Sequence, residues 1–210
     1  MNDYWESKFR EIETMWGFEP ADSAIQVSDL FKLLGIQNIL IPGIGYGRNA
    51  KIFIDKGIKV TGIEISELAI RIAKEKNKFE FLIHHGSVLQ MPYDNNKYDG
   101  IFCYALIHLL NQRERRQFLM NCFSQLQIGG YMIFVAVSKK ANMYGNGKQI
   151  SKDRFELMKG LNVYFYDLET AKNEFKDFGL KEIQEIDEPI KHMDNQPPLK
   201  CIMIKCQKEK

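Results

Sequence analysis

The sequence is short of the features that would send a chain to a membrane, a secretory compartment or a polyanion. No apolar run in its 210 residues approaches the roughly 18–20 needed to span a bilayer. Its four cysteines, Cys103, Cys122, Cys201 and Cys206, contain no C-x-x-C pair. The last two are five residues apart, a spacing that puts them on opposite faces of a strand. Reduced thiols in a cytoplasmic protein are therefore the expectation. The formal net charge is only +2, too small to imply a nucleic-acid or membrane partner. The opening Met1-Asn2-Asp3-Tyr4-Trp5-Glu6 has no basic region ahead of an apolar stretch, so no secretory leader is expected. Internal repeats and low-complexity segments are absent as well.

What is there is an ordinary globular balance, 45% hydrophobic and 27% charged, in a chain long enough to bury a core without disulfides or metal. Trp5, Phe9, Ile12 and Trp16 recur at helical spacing over 2–16, with Gly17 as a stop, and a second helix is expected over 20–34. Residues 1–35 thus read as an N-terminal helical cap or lid on a domain spanning 36–210. From Asn38 the period changes. Strands are expected at 38–41, a short apolar run, and at 58–64, 79–83, 98–104 and 131–137, alternating with helical stretches at 66–77 and 111–126. A helix at 167–178 and strands at 180–186 and 201–206 complete the chain. This order predicts an α/β, Rossmann-like, mostly parallel seven-stranded sheet with helices on both faces and an antiparallel last strand.

The segment Pro42-Gly43-Ile44-Gly45-Tyr46-Gly47-Arg48-Asn49 joins the first strand to the helix after it. Glycines there allow positive φ and close approach of backbone to a ligand, and a helix start adds unpaired N–H groups. Such a loop is by itself unspecific. Glu64 lies 21 residues after Gly43, at the end of the next expected strand, which is the spacing of an acid that bonds ribose hydroxyls. The two together point to a nucleoside-type ligand. Arg48 occupies the third glycine position of the dinucleotide fingerprint, which favours S-adenosylmethionine over a dinucleotide.

At these residues the chain resembles the class I S-adenosylmethionine-dependent methyltransferases, from about Asn38 to Val137. Gly43-x-Gly45-x-Gly47 is similar to the first motif of that family, Val60 to Ser66 to the second, and Gly86-Ser87-Val88-Leu89-Gln90-Met91-Pro92-Tyr93 to the third. Lys97-Tyr98-Asp99-Gly100-Ile101 and Leu126-Gln127-Ile128-Gly129-Gly130-Tyr131 resemble the approaches to strands four and five. The resemblance implies that Gly43, Gly45 and Gly47 pass under the methionine and ribose of the cofactor, with Glu64 on the ribose hydroxyls and Ile65 on adenine. It further implies that Ser87 and Val88 border the adenine edge, that Tyr104 lies near the methionine end, and that Arg48 and Asn49 reach toward the methionine carboxylate. Two positions depart from the pattern. Ile41 stands where the family carries an acid two residues before the first glycine, and Ser87 where it carries Asp. The strand-Pro-Gly variant resembles the small-molecule thiopurine and tellurite-resistance-like branches.

The expected reaction is methyl transfer to a small molecule by in-line displacement, with S-adenosylhomocysteine as product and no metal required. His108, just past the fourth strand, and Tyr144, on a glycine-rich loop, are the candidate catalytic groups. Adjacent His84 and His85 would point to opposite faces of a strand and make a poor metal pair. Residues 138–160 hold six basic side chains against two acidic ones, either a solvated face or a lid that attracts an anionic acceptor. The chain lacks an N-P-P-Y-type motif, a target-recognition domain and a basic stripe, which disfavours nucleic acid as acceptor. The alternative reading is a cofactor-binding sensor or pseudoenzyme without turnover.

Overall fold

The computed structural model describes residues 2–75, 81–191 and 196–209, with no account of the side chains of Asn2 and Asp3. In chain order the elements are α1 (Asn2–Glu11), α2 (Asp22–Leu33), β1 (Asn38–Pro42), α3 (Ala50–Asp55), β2 (Lys59–Glu64), α4 (Glu67–Glu75) and β3 (Leu82–His85). They continue with β4 (Tyr98–Tyr104), α5 (Gln112–Gln125), β5 (Leu126–Val137), β6 (Lys148–Ser151), β7 (Arg154–Met158) and β8 (Leu161–Tyr164). The chain closes with α6 (Leu168–Phe175), β9 (Leu180–Glu188) and β10 (Leu199–Gln207). The expected strand start at 79–80 and helix end at 76–77 lie outside the described residues.

Seven strands form one sheet in the order β3-β2-β1-β4-β5-β10-β9. The first five run parallel, and β10 is antiparallel to both of its neighbours. Strand periodicity divides the core between two faces. Met132, Phe134 and Ala136 of β5 join Phe118, Leu119 and Phe175 of α5 and α6 on one side. Ile133 and Val135 join Val27 and Phe31 of α2 and Phe53 of α3 on the other. Each fully buried aromatic or branched side chain contributes roughly 1.5–3 kcal/mol. Cys201 and Cys206 fall on opposite faces of the sheet.

The order reverses at β1 and β4, where crossovers leave toward opposite edges, and a ligand crevice forms beyond the carboxyl ends of such strands. Three parts of the chain gather there. The loop after β1 is held down by Gly43 and Ile44 N–H, which donate to the Ile63 carbonyl at 2.8 and 3.1 Å. The segment after β4 makes a short 3-10 turn, Ile107–Leu109. Residues 138–166 fold into a separate three-stranded antiparallel sheet, β6-β7-β8.

That small sheet is where the structure departs from the sequence reading, which placed no strand between 137 and the helix at 167. β6 is exposed along its whole length, so it carries no hydrophobic alternation. The turns Lys152-Asp153 and Lys159-Gly160, with Asp153 at φ +60° and Gly160 at φ +86°, are the hairpin signal that was present. The first helix also stops at Glu11 instead of running to 16. Ile12 is left exposed, while Trp16 turns back to stack on Tyr46 at 6.2 Å, a tertiary contact that overrides local helical spacing.

The two N-terminal helices take different places. α2 covers the sheet, and its start is held from far along the chain. Glu188, 2% exposed at the end of β9, accepts from Asp22 and Ser23 N–H at 2.6 and 3.3 Å. Ala21 lacks a capping side chain, so this carboxylate satisfies donors that the helix start leaves open. α1 lies instead across the carboxyl edge of the sheet. Its Glu6 accepts from Ser66 Oγ at 2.6 Å at the start of α4, and its Tyr4 hydroxyl meets Met158 Sδ of β7 at 3.3 Å.

Candidate functional site

The glycine loop has the backbone that its residues call for. Gly43, Gly45 and Gly47 have φ of +67°, +57° and +83°, a region that costs other residues roughly 1–2 kcal/mol. A Cβ on Gly43 would lie 2.9 Å from Leu106 Cδ2, which shows how closely the segment after β4 approaches this loop. Tyr46 is buried between the glycines, its hydroxyl donating to the Gly17 carbonyl at 2.6 Å. It belongs to an aromatic cluster with Trp5, Phe9 and Trp16 that fastens α1 to the loop.

Glu64 closes β2 and is 6% exposed. Its Oε2 accepts from Gly45 N–H at 2.8 Å, and its Oε1 from Ile65 and Ser66 N–H at 2.8 and 2.9 Å. Burial pushes the carboxyl above its ordinary range, and the three N–H donors oppose that rise. The carboxylate thus spans from the strand end to the glycine loop and fixes the distance between them. Ile65 and Ser87 are half-buried beside it and Val88 is buried. The Ser87 carbonyl accepts from the Tyr93 hydroxyl at 2.8 Å, and Ser87 Oγ accepts from Leu89 N–H at 3.3 Å.

Arg48 and Asn49 bind protein groups around the same loop. Asn49 Oδ1 accepts from Ala21 N–H at 2.9 Å. Arg48 Nη1 donates to the carbonyls of Trp16 and Glu19 at 3.3 and 3.1 Å, and its guanidinium lies 5.5 Å from the Tyr104 ring. Tyr104 itself is half-buried at the end of β4, its phenol raised by burial and by Glu188 against the effect of Arg48.

His108 sits in the turn after β4, 9% exposed, and its Nδ1 accepts from Val137 N–H at 3.3 Å. The neutral ring therefore carries its proton on Nε2. Burial pushes its pKa down to about 4. Tyr144 is farther out. Its hydroxyl donates to Asp153 Oδ1 at 2.8 Å, a bond that raises the phenol pKa. The other oxygen of Asp153 pairs with Lys139 at 2.8 Å, and Lys139 also pairs with Asp167 at 2.6 Å. His84 bonds Asp94 at 2.9 Å, while His85 Nε2 lies 3.1 Å from the Ile65 carbonyl, so the two histidines serve separate networks.

Between α1, the segment after β4 and the small sheet lies a cavity of about 250 Å3, walled by Trp5, Leu109, Glu114, Arg154, Leu161 and Asn162 among others. None of its polar residues was singled out in the sequence as a site residue. No local motif marks them, because strands β7 and β8 bring them together.

Residues 39–130 match the model of a methyltransferase domain. None of the curated proteins matches the chain. Among solved structures, the 1,6-didemethyltoxoflavin-N1-methyltransferase of Burkholderia thailandensis, with 1,6-didemethyltoxoflavin and S-adenosylhomocysteine bound, aligns with a TM-score of 0.75 at 16% identity, covering 100% of this chain and 87% of that one. An S-adenosylmethionine-dependent methyltransferase from Clostridium acetobutylicum gives 0.69 at 13% identity, covering 88% and 89%. TehB from Haemophilus influenzae gives 0.64 at 19% identity, covering 87% of this chain and 61% of that one.

Proposed function

We infer that this chain, which carries the methyltransferase domain in its class I fold, transfers a methyl group from S-adenosylmethionine to a small anionic acceptor. The observation that carries the reading is the Glu64 carboxylate, held by three backbone N–H groups between the end of β2 and the glycine loop. A buried acid fixed this way is oriented before a ligand arrives, and the one of its roughly four lone-pair sites that the N–H groups leave open suits a ribose hydroxyl. The positive φ of Gly43 and Gly45 suits a backbone that must approach a cofactor closely. These features fit the cofactor. Ile65, Ser87 and Val88 would flank its adenine, Gly43, Gly45 and Gly47 would underlie its ribose and methionine, and Tyr104 would stand at the methionine end. Arg48 would meet the methionine carboxylate with the N–H groups that Trp16, Glu19 and Tyr104 leave free. Asn49 would support that position by holding the start of α2.

When bound, the cofactor supplies a methyl group on a positively charged sulfur. The residues of this chain have then to align the acceptor and keep water out. We assign the second task to α1, as the lid within the cap of residues 1–35 over the domain of 36–210. Its Glu6 and Tyr4 contacts to α4 and β7 support this. His108, neutral with a proton on Nε2, suits hydrogen-bond donation to an acceptor better than removal of its proton. Tyr144 would act through Asp153, by fixing the start of β7.

The acceptor's negative charge is suggested by the basic residues of 138–160. Lys139 and Lys140 are neutralised by Asp153, Asp167 and Glu185, which leaves Arg154 as the buried cation of the segment. Among the described residues no helix is long and apolar enough to cross a membrane. We place the protein in the cytoplasm, a placement its four buried free thiols support. Nothing in the fold or the comparisons favours a sensor without turnover. Incubation with methyl-labelled cofactor and a panel of thiols, amines, carboxylates and metalloid anions tests the reading. Label is expected on a small anionic acceptor, and cofactor binding with transfer to none of them would overturn it.

A further inference from the structure

We propose that the cavity between α1, the turn after β4 and the β7-β8 hairpin is the acceptor subsite, and that Arg154 selects there for a small carboxylate bearing an adjacent O–H or N–H donor. The inference rests on the methyltransferase reading and names its substrate class.

Arg154 is 9% exposed. Its Nη2 donates to the Leu109 carbonyl at 3.3 Å, while its Nη1 is buried with no partner among the described residues. Neighbouring acids are engaged elsewhere. Asp153, next in the chain, holds Tyr144 and Lys139. Glu174 is bound by Arg115 at 2.8 Å and by the Tyr166 hydroxyl at 2.6 Å. Glu114, on the cavity wall, accepts from Asn111 N–H at 2.7 Å as part of the capping box of α5. Leaving a guanidinium buried and unpaired is costly to the fold, so a ligand that completes it gains a charge-assisted hydrogen bond. Burial and the nearby Arg115 lower the Arg154 pKa, against the effect of Glu114.

The second wall carries the opposite demand. Asn162 Oδ1 is also buried and unpartnered. Of the four buried polar side-chain atoms without a partner among the described residues, two therefore belong to residues that line this one cavity. Nη1 calls for an anionic oxygen, and Asn162 Oδ1 and the Glu114 carboxylate call for a donor. A hydroxy- or amino-carboxylate meets both, whereas a fully deprotonated dianion would be repelled by Glu114. The volume of about 250 Å3 falls below the ~300–1,000 Å3 of drug-sized ligand sites, and Trp5 with Leu109 and Leu161 supplies apolar wall for a planar body. The cavity lies on the carboxyl side of β4, in the same segment as Leu106, which touches Gly43.

Calorimetry with 2-hydroxybenzoate, 2-aminobenzoate, their neutral amides and inorganic phosphate tests this on the full chain, with S-adenosylhomocysteine titrated in parallel. The carboxylates should bind at millimolar concentration or tighter, at least about tenfold better than the amides and than phosphate. Arg154→Gln should weaken the carboxylates by about 10- to 100-fold, the range of a lost charged hydrogen bond, and leave S-adenosylhomocysteine within about twofold. Asn162→Asp, which adds a negative charge, should abolish carboxylate binding and decides the matter if Arg154→Gln does not fold. Equal affinity for acids and amides, preference for phosphate, no carboxylate binding while S-adenosylhomocysteine binds, or unchanged affinity in the folded variants would each overturn the subsite. Failure of S-adenosylhomocysteine itself to bind would overturn the underlying reading instead.

Discussion

His108→Asn gives a prediction whose size follows from the structure. The ring is 9% exposed, and its Nδ1 accepts the Val137 N–H at 3.3 Å; Asn Oδ1 provides a similarly placed acceptor. Burial lowers the imidazole from an ordinary 6.5 to about 4, so the folded protein resists a proton that the unfolded chain accepts. Above pH 6.5 the ring is neutral in both states and contributes nothing to pH dependence. As pH falls from 6.5 the unfolded state gains its proton first, and stability is lost until the folded ring also titrates near 4. The full loss is about 3 kcal/mol. Urea unfolding of the parent and the variant between pH 7 and 4 isolates the effect, since every other titrating group is common to both. The difference between the two should be constant above pH 6.5 and move by about 3 kcal/mol in favour of the variant by pH 4. A flat difference across that range would contradict a depressed His108 pKa in the folded protein. So would an imidazole that titrates near 6.5 by NMR, which would restore His108 as a base.

Three further outcomes follow from contacts distant in sequence. Glu188→Ala should cost about 1–2 kcal/mol in chemical denaturation, since it uncaps α2. An unchanged midpoint would mean that water replaces the carboxylate at no loss. Glu174→Gln, which strips the counter-ion from Arg115, should cost about 3 kcal/mol, and a loss below 1 kcal/mol would show that the pair is solvated in practice. Gly43→Ala should destabilise by roughly 1–2 kcal/mol from its positive φ alone, with further loss from the contact to Leu106; a neutral result by thermal melting would mean that the loop relaxes.

The parts legible in the sequence were those that local pattern determines. The strand expected at 98–104 became β4 with the same bounds, because its apolar centre, Ile101-Phe102-Cys103, is buried. The glycines before α3 adopted positive φ, and Glu64 fell at the end of β2 as its spacing required. The rest depends on contacts that no local window contains. β6 is solvated on both faces, so only the two tight turns beside β7 announced a sheet. Trp16 left the helix pattern to stack on Tyr46. Arg154 looked like one charge among six. Its isolation depends on Tyr144 and Lys139 taking Asp153 and on Arg115 taking Glu174, a set of pairings fixed only by the fold. Asn49 similarly looked like a helix-opening polar residue, and its amide holds Ala21, 28 residues earlier.

The proposed S-adenosylmethionine site is the glycine loop together with Glu64. Calorimetric titration of S-adenosylhomocysteine into the parent protein and into Glu64→Gln tests it most directly. Saturable binding to the parent is expected, with an affinity about 10- to 100-fold weaker in the folded variant, the loss of a charged hydrogen bond. Absence of binding to the folded parent, or equal affinity in the two proteins, would contradict it.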